Sequence, residues 1–312
     1  MTRRSWVLFS VMCVIWGIPY LLIRIAVRDL TPGTLVFART AVGGLVLLPV
    51  ALARGGFGPV LRRWRALVAF TAIELAIPWL LLGTAEKQLS SSLSGLLVAA
   101  VPLVGVVVAR AAGAHDRVGP ARLVGLLLGV AGVAMLVGLD LGQLRAGPLA
   151  EMLVVVVGYA VAPAIMAKRL SDLPSIAVVC ASLLLCAIGY LPYAIARPPA
   201  RLKAETVESI LVLALVCTAL AFVVFFALIN EIGPARATVI TYVNPAVAVL
   251  FGIALLGERF TAGMAIGFPL ILAGSVLAAR RSEAPGGEAS AAALLDEPGG
   301  DVKSWVTPLS RA

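Results

Sequence analysis

The sequence predicts an all-α integral membrane protein with ten transmembrane helices arranged as two inverted five-helix repeats. Three observations carry this prediction: an apolar composition, ten separate apolar runs, and a sequence pattern that occurs twice. Of the 312 residues, 61% are hydrophobic and 13% are charged, whereas soluble domains carry about a quarter charged residues. A chain of this composition cannot hide its apolar side chains in a soluble core, so we expect the lipid bilayer to be its solvent.

The apolar runs have the length of membrane-spanning helices. A bilayer core about 30 Å thick takes about 20 apolar helical residues, and ten such runs follow one another along the chain. They lie near 6–27, 34–53, 65–84, 91–110, 121–139, 148–167, 175–196, 209–229, 236–256 and 263–280. Each run is continuous rather than alternating in pairs, which favours helices over the strands of a membrane barrel.

The sequence pattern around Pro245 occurs a second time around Pro102. In both copies an apolar run with a central proline is followed by a short turn with an acid and an arginine, and then by a glycine-containing run. Pro245 lies 143 positions after Pro102. A tandem duplication of this kind divides the chain into a first repeat at 5–140, a second repeat at 147–281 and a tail at 282–312.

Five spans per repeat is an odd number, so the two repeats must cross the membrane in opposite directions. Inverted repeats are common in secondary transporters, whose substrate sites lie near the midplane between the halves.

The distribution of basic residues predicts that the protein lies in the inner membrane with both termini in the cytoplasm. The loop 197–208 opposes this orientation, because it carries three basic residues on the outer side. The acidic tail, rich in Gly and Pro, is expected to be disordered.

Glu74 lies near the middle of the third predicted span. An isolated charge at this depth costs about 2.5–3.5 kcal/mol on insertion scales, so such residues usually face a cavity or a partner. One interpretation is a structural glutamate that is hydrogen-bonded between helices. The other is a carboxyl that binds substrate or carries protons. Its counterpart in the second repeat is Cys217, so the two halves cannot share this role.

Arg39, Trp16 and Tyr159 are further candidates for a substrate cavity. Arg39 lies about five residues inside the second span, too deep at ~1.5 Å per residue to be plainly interfacial. It either pairs with an acid on a neighbouring helix or lines a water-filled vestibule. Trp16 lies in the middle of the first span, and Tyr159 occupies the equivalent position in the second repeat.

Two prolines at mid-depth are expected to break the fourth and ninth helices, at Pro102 and Pro245. The carbonyl groups that they free must find water, ligand or protein, so matched breaks point to a cavity. The ninth helix is also the most polar near its centre, and Thr241, Tyr242 and Asn244 complete the set of cavity candidates.

Glycines four residues apart occur in the fifth and tenth helices, at Gly125 and Gly129 and at Gly263 and Gly267. Small residues at this spacing let helices approach closely in lipid. They therefore predict scaffolding rather than ligand binding.

No cofactor, metal site or enzymatic constellation is indicated by the sequence. The four cysteines lack metal-ligand spacing, the one histidine lies in a loop, and no phosphate-binding glycine loop precedes a helix. The basic residues behind the net charge of +9 lie mostly in short loops, so the charge does not indicate nucleic acid binding.

The expected partners are the bilayer and a small-molecule substrate. The oligomeric state stays open, and a monomer is compatible with the plan.

Several of these residues together carry a family resemblance. They are Trp16-Gly17 with Arg24, Arg39, and the block Pro245…Leu-Gly-Glu258-Arg259…Gly267…Gly274. Over about 5–280 the chain resembles the EamA-type permeases of the drug/metabolite transporter superfamily. The resemblance implies two inverted EamA repeats, alternating access, and transport of small metabolites, often amino acids or drug-like amines. The first repeat departs from the family pattern, with His115-Asp116 in place of Gly-Glu.

The function predicted from the sequence is therefore secondary active transport rather than enzymatic catalysis. We expect an inner-membrane exporter of a small metabolite or drug-like molecule, coupled to the proton gradient. The alternative is a passive channel or a structural membrane protein without coupled transport.

Overall fold

The computed structural model of the chain describes residues 2–53, 56–111, 119–138, 145–199, 201–233, 237 and 239–279. Within these ranges all regular structure is helical and no strand is formed. The predicted tail at 282–312 lies outside the described residues, and so does the turn with His115 and Asp116.

The described part of the chain contains ten apolar helices in the predicted order. The first five are α1 (Arg3–Ala26), α2 (Pro32–Ala53), α3 (Trp64–Ala85), α4 (Ser91–Val108) and α5 (Pro120–Gly138). The next five are α6 (Ala146–Leu170), α7 (Ser175–Ala196), α8 (Ala204–Ile232), α9 (Ile240–Leu256) and α10 (Ala262–Ala279). Seven are long and apolar enough to cross a membrane, whereas the apolar stretches of α5, α9 and α10 are shorter. For these three the predicted crossing stays a prediction.

Proline breaks α4 where the sequence predicts a break. The first helical stretch ends at Val98 and the second begins at Val101, so the chain turns just before Pro102. The carbonyl oxygen of Ala99, in this turn, accepts a hydrogen bond from the Ser275 hydroxyl of α10 at 3.1 Å. A side chain of the second repeat thus satisfies a carbonyl group that the break frees.

Pro245 does not break α9, which corrects the expectation of matched breaks. The helix begins at Ile240 and continues through Pro245 to its end. Because the proline lies in the second turn, it removes one backbone hydrogen bond near the N-terminus and separates no long helical stretches. The neighbouring Asn244, with its amide oriented to satisfy both acceptors, donates to the carbonyl oxygens of Ile240 at 3.0 Å and Cys13 at 3.1 Å. This amide ties α9 to α1.

α3 and α8 each contain a π-helical stretch, at Thr71–Ala76 and at Leu215–Leu220. The two stretches occupy nearly equivalent positions in the two repeats. Wider turns of this kind inside α-helices occur frequently at functional sites. Glu74 lies in the first stretch, and its counterpart Cys217 lies in the second.

Helices of the first half pack mainly against helices of the second. α5 packs on α10 and α2 on α7, while α1 packs on α8 and α9, and α6 on α3 and α4. Glycines allow the α5–α10 contact: a Cβ on Gly267 would lie 2.7 Å from the carbonyl oxygen of Gly132, and one on Gly274 would lie 2.6 Å from that of Gly125. The close packing predicted for the glycines of these helices is confirmed at Gly125 and Gly267.

Polar contacts join the helix ends in two groups. In one group Arg63, before α3, pairs with Asp172, after α6, at 2.6 Å. In the other, Asp29, after α1, accepts a hydrogen bond from the Thr206 hydroxyl at the start of α8 at 2.6 Å, and it lies 3.6 Å from Lys203. The Thr206 hydrogen bond is the main cause of the lowered pKa of Asp29. Both groups join the first half of the chain to the second.

Candidate functional site

Arg39 of α2 is almost completely buried, with 7% of its surface exposed. Its guanidinium stacks on the ring of Trp79 in α3, with Cζ 3.6 Å from the ring centroid. Its Nε donates a hydrogen bond to Thr218 Oγ1 in α8 at 2.8 Å. Among the described residues no carboxylate forms an ion pair with it. An aromatic face and a hydroxyl hold this cation, in place of the acid that one sequence interpretation expects.

The Thr218 hydroxyl is oriented by the π-helical stretch of α8. It donates a hydrogen bond to the carbonyl oxygen of Leu213 at 2.8 Å. Because this bond uses its one proton, its lone pairs are free to accept from Arg39. Gly43 permits the close approach of α2, since a Cβ there would lie 3.2 Å from Thr218 Cγ2 and 3.3 Å from the carbonyl oxygen of Ala214.

Two tyrosines, the buried Tyr20 and the partly buried Tyr159, complete a polar cluster around Arg39. Tyr159 of α6 lies within electrostatic range of Arg39 and Glu74, and within hydrogen-bonding reach of Trp79. Tyr20 of α1 lies within electrostatic range of Arg39 and Tyr159. We define the Arg39 cluster as Tyr20, Arg39, Trp79, Tyr159 and Thr218. Its members come from α1, α2 and α3 of the first half and from α6 and α8 of the second.

Glu74 lies at the edge of the Arg39 cluster. Its side chain is partly exposed. Its charge acts on the Tyr159 hydroxyl. Within the described ranges it takes part in no hydrogen bond or ion pair. No dedicated partner therefore holds this carboxyl in place within the described ranges.

Trp16 and Tyr159 are repeat counterparts. Trp16, in the first repeat, contacts α8 of the second repeat, whereas Tyr159, in the second repeat, lies near α3 of the first. Trp16 packs on Phe222 and Phe225 of α8, with ring centroids 6.1 and 4.6 Å apart. Phe222 is the repeat counterpart of Trp79, and Tyr159 lies near Trp79, so equivalent aromatic residues are neighbours in both halves. Arg39 lies on Trp79, whereas no cation lies over Trp16, Phe222 or Phe225 in the described ranges, so Trp16 lies outside the Arg39 cluster.

The polar residues predicted on α9 also lie apart from the Arg39 cluster. Tyr242 donates a long hydrogen bond of 3.5 Å to the carbonyl oxygen of Ser275 in α10. Asn244 ties α9 to α1, as described above, and Thr241 is half-buried and has an interaction of its own. The structure therefore brings Arg39, Tyr159 and Glu74 together and places the α9 residues at other helix contacts.

A cavity of about 430 Å³ lies beside the break at Pro102, between α4, α5 and α6. Its lining is apolar and includes Ala100, Leu103, Val133 and Met152. Ala100 and Leu103, on either side of Pro102, line this cavity, and its lining among the described residues includes no polar side chain. It is suited to lipid chains or apolar side chains rather than to a polar substrate.

Glu86, just beyond the end of α3, is fully buried, and both carboxyl oxygens lack a hydrogen-bond partner in the part of the chain described. Arg24 of α1 donates to the backbone oxygen of Glu86 rather than to its carboxyl. Burial raises the pKa of Glu86 well above its usual value, while Arg24 opposes the shift and Glu258 adds to it. The Glu86 charge also acts on Tyr20 and Tyr159.

Sequence reasoning missed Tyr20, Trp79, Thr218 and Glu86. The repeat offers a signal for Thr218, because it follows Cys217, the counterpart of Glu74. Trp79 follows a proline within an apolar span and resembles an ordinary packing residue. Glu86 belongs to a polar loop in the sequence, and only the tertiary structure buries it.

Similarity to known proteins extends over both halves of the chain. The sequence pattern of the EamA-like transporter family matches residues 4–138 and 149–280. The chain is 30% identical over 255 residues to the uncharacterized inner membrane transporter YedA of Escherichia coli (strain K12), covering 80% of this chain and 81% of YedA. It is 24% identical over 289 residues to an uncharacterized transporter of Archaeoglobus fulgidus, covering 89% of this chain and 98% of that one.

A solved structure supports the same fold. A crystal structure of another protein superposes with a TM-score of 0.63 at 21% sequence identity, covering 89% of this chain and 97% of the other. At this identity the likeness concerns the fold alone. The family pattern matches twice, once in each half, and together the two matches cover most of the chain. The chain therefore belongs to the EamA-like transporter family, part of the drug/metabolite transporter superfamily.

Proposed function

We propose that this EamA-family member is a secondary active transporter that exports a small metabolite or drug-like molecule across the inner membrane. The observation that carries the proposal is the Arg39 cluster, in which polar side chains from both halves meet inside otherwise apolar helices. Ionisable groups at such depth commonly mark substrate and ion pathways. Amino acids and their derivatives are among the small metabolites that this proposal includes.

We further propose alternating access between two inverted five-helix repeats, at 5–140 and 147–281. The packing supports this, because contacts occur in equivalent pairs: α1 on α8 corresponds to α6 on α3, and α1 on α9 corresponds to α6 on α4. The contacts of α2 with α7, α4 with α9 and α5 with α10 each join equivalent helices. A pseudo-two-fold relation produces such pairs, and the halves can rock about it around a central site. One chain suffices for this arrangement.

Coupling to the proton gradient is proposed to act through Glu74. This carboxyl occurs in one repeat only, since its counterpart is the thiol of Cys217. Because no hydrogen bond to Glu74 exists in the described ranges, its position favours a proton carrier over a residue that locks helices together. If proton and substrate exclude each other from one cavity, proton entry drives substrate exit.

The test is transport by reconstituted Glu74→Gln protein. A ligand-stabilisation screen of the purified protein first identifies a substrate. Gradient-driven transport and substrate exchange are then measured in proteoliposomes. We expect the variant to lose gradient-driven transport and to retain exchange, while Glu208→Gln, at an exposed position of α8, retains both. Unchanged gradient-driven transport from about pH 5 to 8 would contradict the coupling role. Equilibration without ionophore-sensitive accumulation by the wild type would favour a passive channel.

A further inference from the structure

We propose that Arg39 binds a carboxylate group of the transported molecule, so that the substrate is an organic acid. This inference rests on the proposed transport function and adds the chemical class of the substrate. Among the described residues Arg39 has no ion-pair partner, and its guanidinium makes one hydrogen bond to protein.

The groups whose charges act most strongly on Arg39 are two thiols and two phenols: Cys217, Tyr159, Tyr20 and Cys186. The ion pairs of the described residues all lie at helix ends. Thiols and phenols are ordinarily neutral near pH 7. A buried cation is strongly disfavoured unless an anion accompanies it, and within the described residues no carboxylate pairs with Arg39.

The hydrogen bonds of Arg39 leave the carboxylate-binding part of its side chain unused. A guanidinium has five N–H donors, and the bond from Nε to Thr218 uses one of them. Within the described residues the four N–H groups on the terminal nitrogens have no protein partner. Paired N–H groups of a guanidinium match the two oxygens of a carboxylate. Thr218 and the face of the Trp79 ring hold the guanidinium in place, so Thr218 is a positioning residue.

The body of the ligand would meet aromatic rings. Trp79 stacks on the guanidinium, and Tyr20 and Tyr159 lie within electrostatic range of it. This combination suits a compact, mainly apolar body that carries one acidic group.

The second half of the chain offers no equivalent cation. The counterpart of Arg39 is Ser182, which is fully buried, and the counterpart of Trp79 is Phe222. The pseudo-symmetric arrangement therefore contains one anion-binding arginine rather than two. A single carboxylate per substrate follows, rather than a dicarboxylate held between two arginines.

The experiment measures binding to the purified full chain in lipid nanodiscs, without a gradient. The probes are benzoate and hexanoate, each compared with its uncharged amide, benzamide and hexanamide, and the readout is the shift in thermal unfolding temperature. We expect the acids to stabilise the wild type and the amides not to. In Arg39→Gln the affinity for the acids should fall by about 10- to 100-fold, as loss of a charged hydrogen-bonding group implies.

Arg65→Gln is the matched control, because Arg65 also lies over a tryptophan, Trp64, with Cζ 5.5 Å from the ring, but is exposed. It should bind acids like the wild type. Arg39→Lys is a second variant, which retains the positive charge but lacks the paired N–H groups of the guanidinium. It should bind more weakly than the wild type but still prefer acids, which keeps the test valid if Arg39→Gln does not fold.

Three results would overturn the proposal: no stabilisation of the wild type by either acid, equal stabilisation by acids and amides, or acid binding that survives in Arg39→Gln. Transport of the same acids into proteoliposomes is measured separately. Arg39-dependent binding without transport would reject the transport function, whereas transport that does not depend on Arg39 would reject only the carboxylate assignment.

Discussion

Glu258, in the turn between α9 and α10, accepts hydrogen bonds from both the backbone N–H and the hydroxyl of Ser92, at 2.9 and 2.5 Å. Its other carboxylate oxygen accepts the same two kinds of bond from Ser91, at 2.7 and 3.0 Å. A carboxylate at a helix start satisfies backbone donors and interacts favourably with the helix dipole. The acid of the repeated turn thus caps α4 of the other half.

Replacing Glu258 by Gln should destabilise the protein by about 1–3 kcal/mol, because a neutral amide offers one acceptor oxygen where four donors converge. Thermal unfolding of the purified protein measures the effect. Glu208→Gln, at an exposed position, is the control and should leave stability unchanged. A Glu258→Gln protein as stable as the wild type would show that the cap does not contribute to stability.

Gly252→Ala should disrupt the same cap, because the added methyl group would occupy space between α9 and the capping residues. A Cβ on Gly252 in α9 would collide with the Ser92 hydroxyl and the Glu258 carboxylate. We expect lower stability, and a double variant with Glu258→Gln should lose less than the sum of the single effects, because both changes break one contact. Gly105→Ala, where a Cβ meets nothing within 4 Å, is the control. Full additivity would contradict a shared contact.

Glu86 should make the protein less stable as pH rises. Its folded pKa is raised by burial above the ordinary value of 4.5, so its favourable contribution is complete below that value and is lost as pH rises through the folded pKa. Glu86→Gln resembles the neutral form and should be more stable than the wild type at neutral and alkaline pH. Unfolding temperatures from about pH 5 to 9 test this. Parallel profiles for the two proteins would rule it out.

Thr218→Val should weaken the positioning of Arg39. The substitution removes the hydroxyl that accepts from Arg39 and donates to Leu213, at a cost of about 1–3 kcal/mol for a buried bond to a charged group. Thr218→Ser keeps the hydroxyl and should stay near the wild type in both unfolding temperature and transport. Equal behaviour of the two variants would show that the hydroxyl is not required.

Both termini are expected in the cytoplasm. In a cysteine-free background, which requires replacement of four buried cysteines, Lys203→Cys should react with an impermeant thiol reagent in intact cells. Arg169→Cys, at the opposite helix ends, should react only after permeabilisation. The reverse pattern would place the termini outside, as the basic loop 197–208 suggests.

Which residues form the site could be predicted only in part. Arg39, Glu74 and Tyr159 are conspicuous in the sequence because polar groups are costly inside apolar spans, and the structure brings these three together. Trp79 and Thr218 are not conspicuous, since a tryptophan and a threonine occur in membrane helices without special cost. Pro245 shows the opposite error: the residue type suggests a break, but the start of α9 at Ile240 makes the break unnecessary.

The sequence by itself determined that the chain is helical, that it belongs in a membrane, and that its two halves are equivalent, because composition, run length and repetition are properties of the chain alone. Only the tertiary structure decided which helix faces meet. Lipid and protein interior are both apolar, so hydropathy does not distinguish the face of α2 that places Arg39 on Trp79 from a face turned to lipid. The same holds for Glu258, whose partners Ser91 and Ser92 lie more than half the chain away and become neighbours only when the two halves pack.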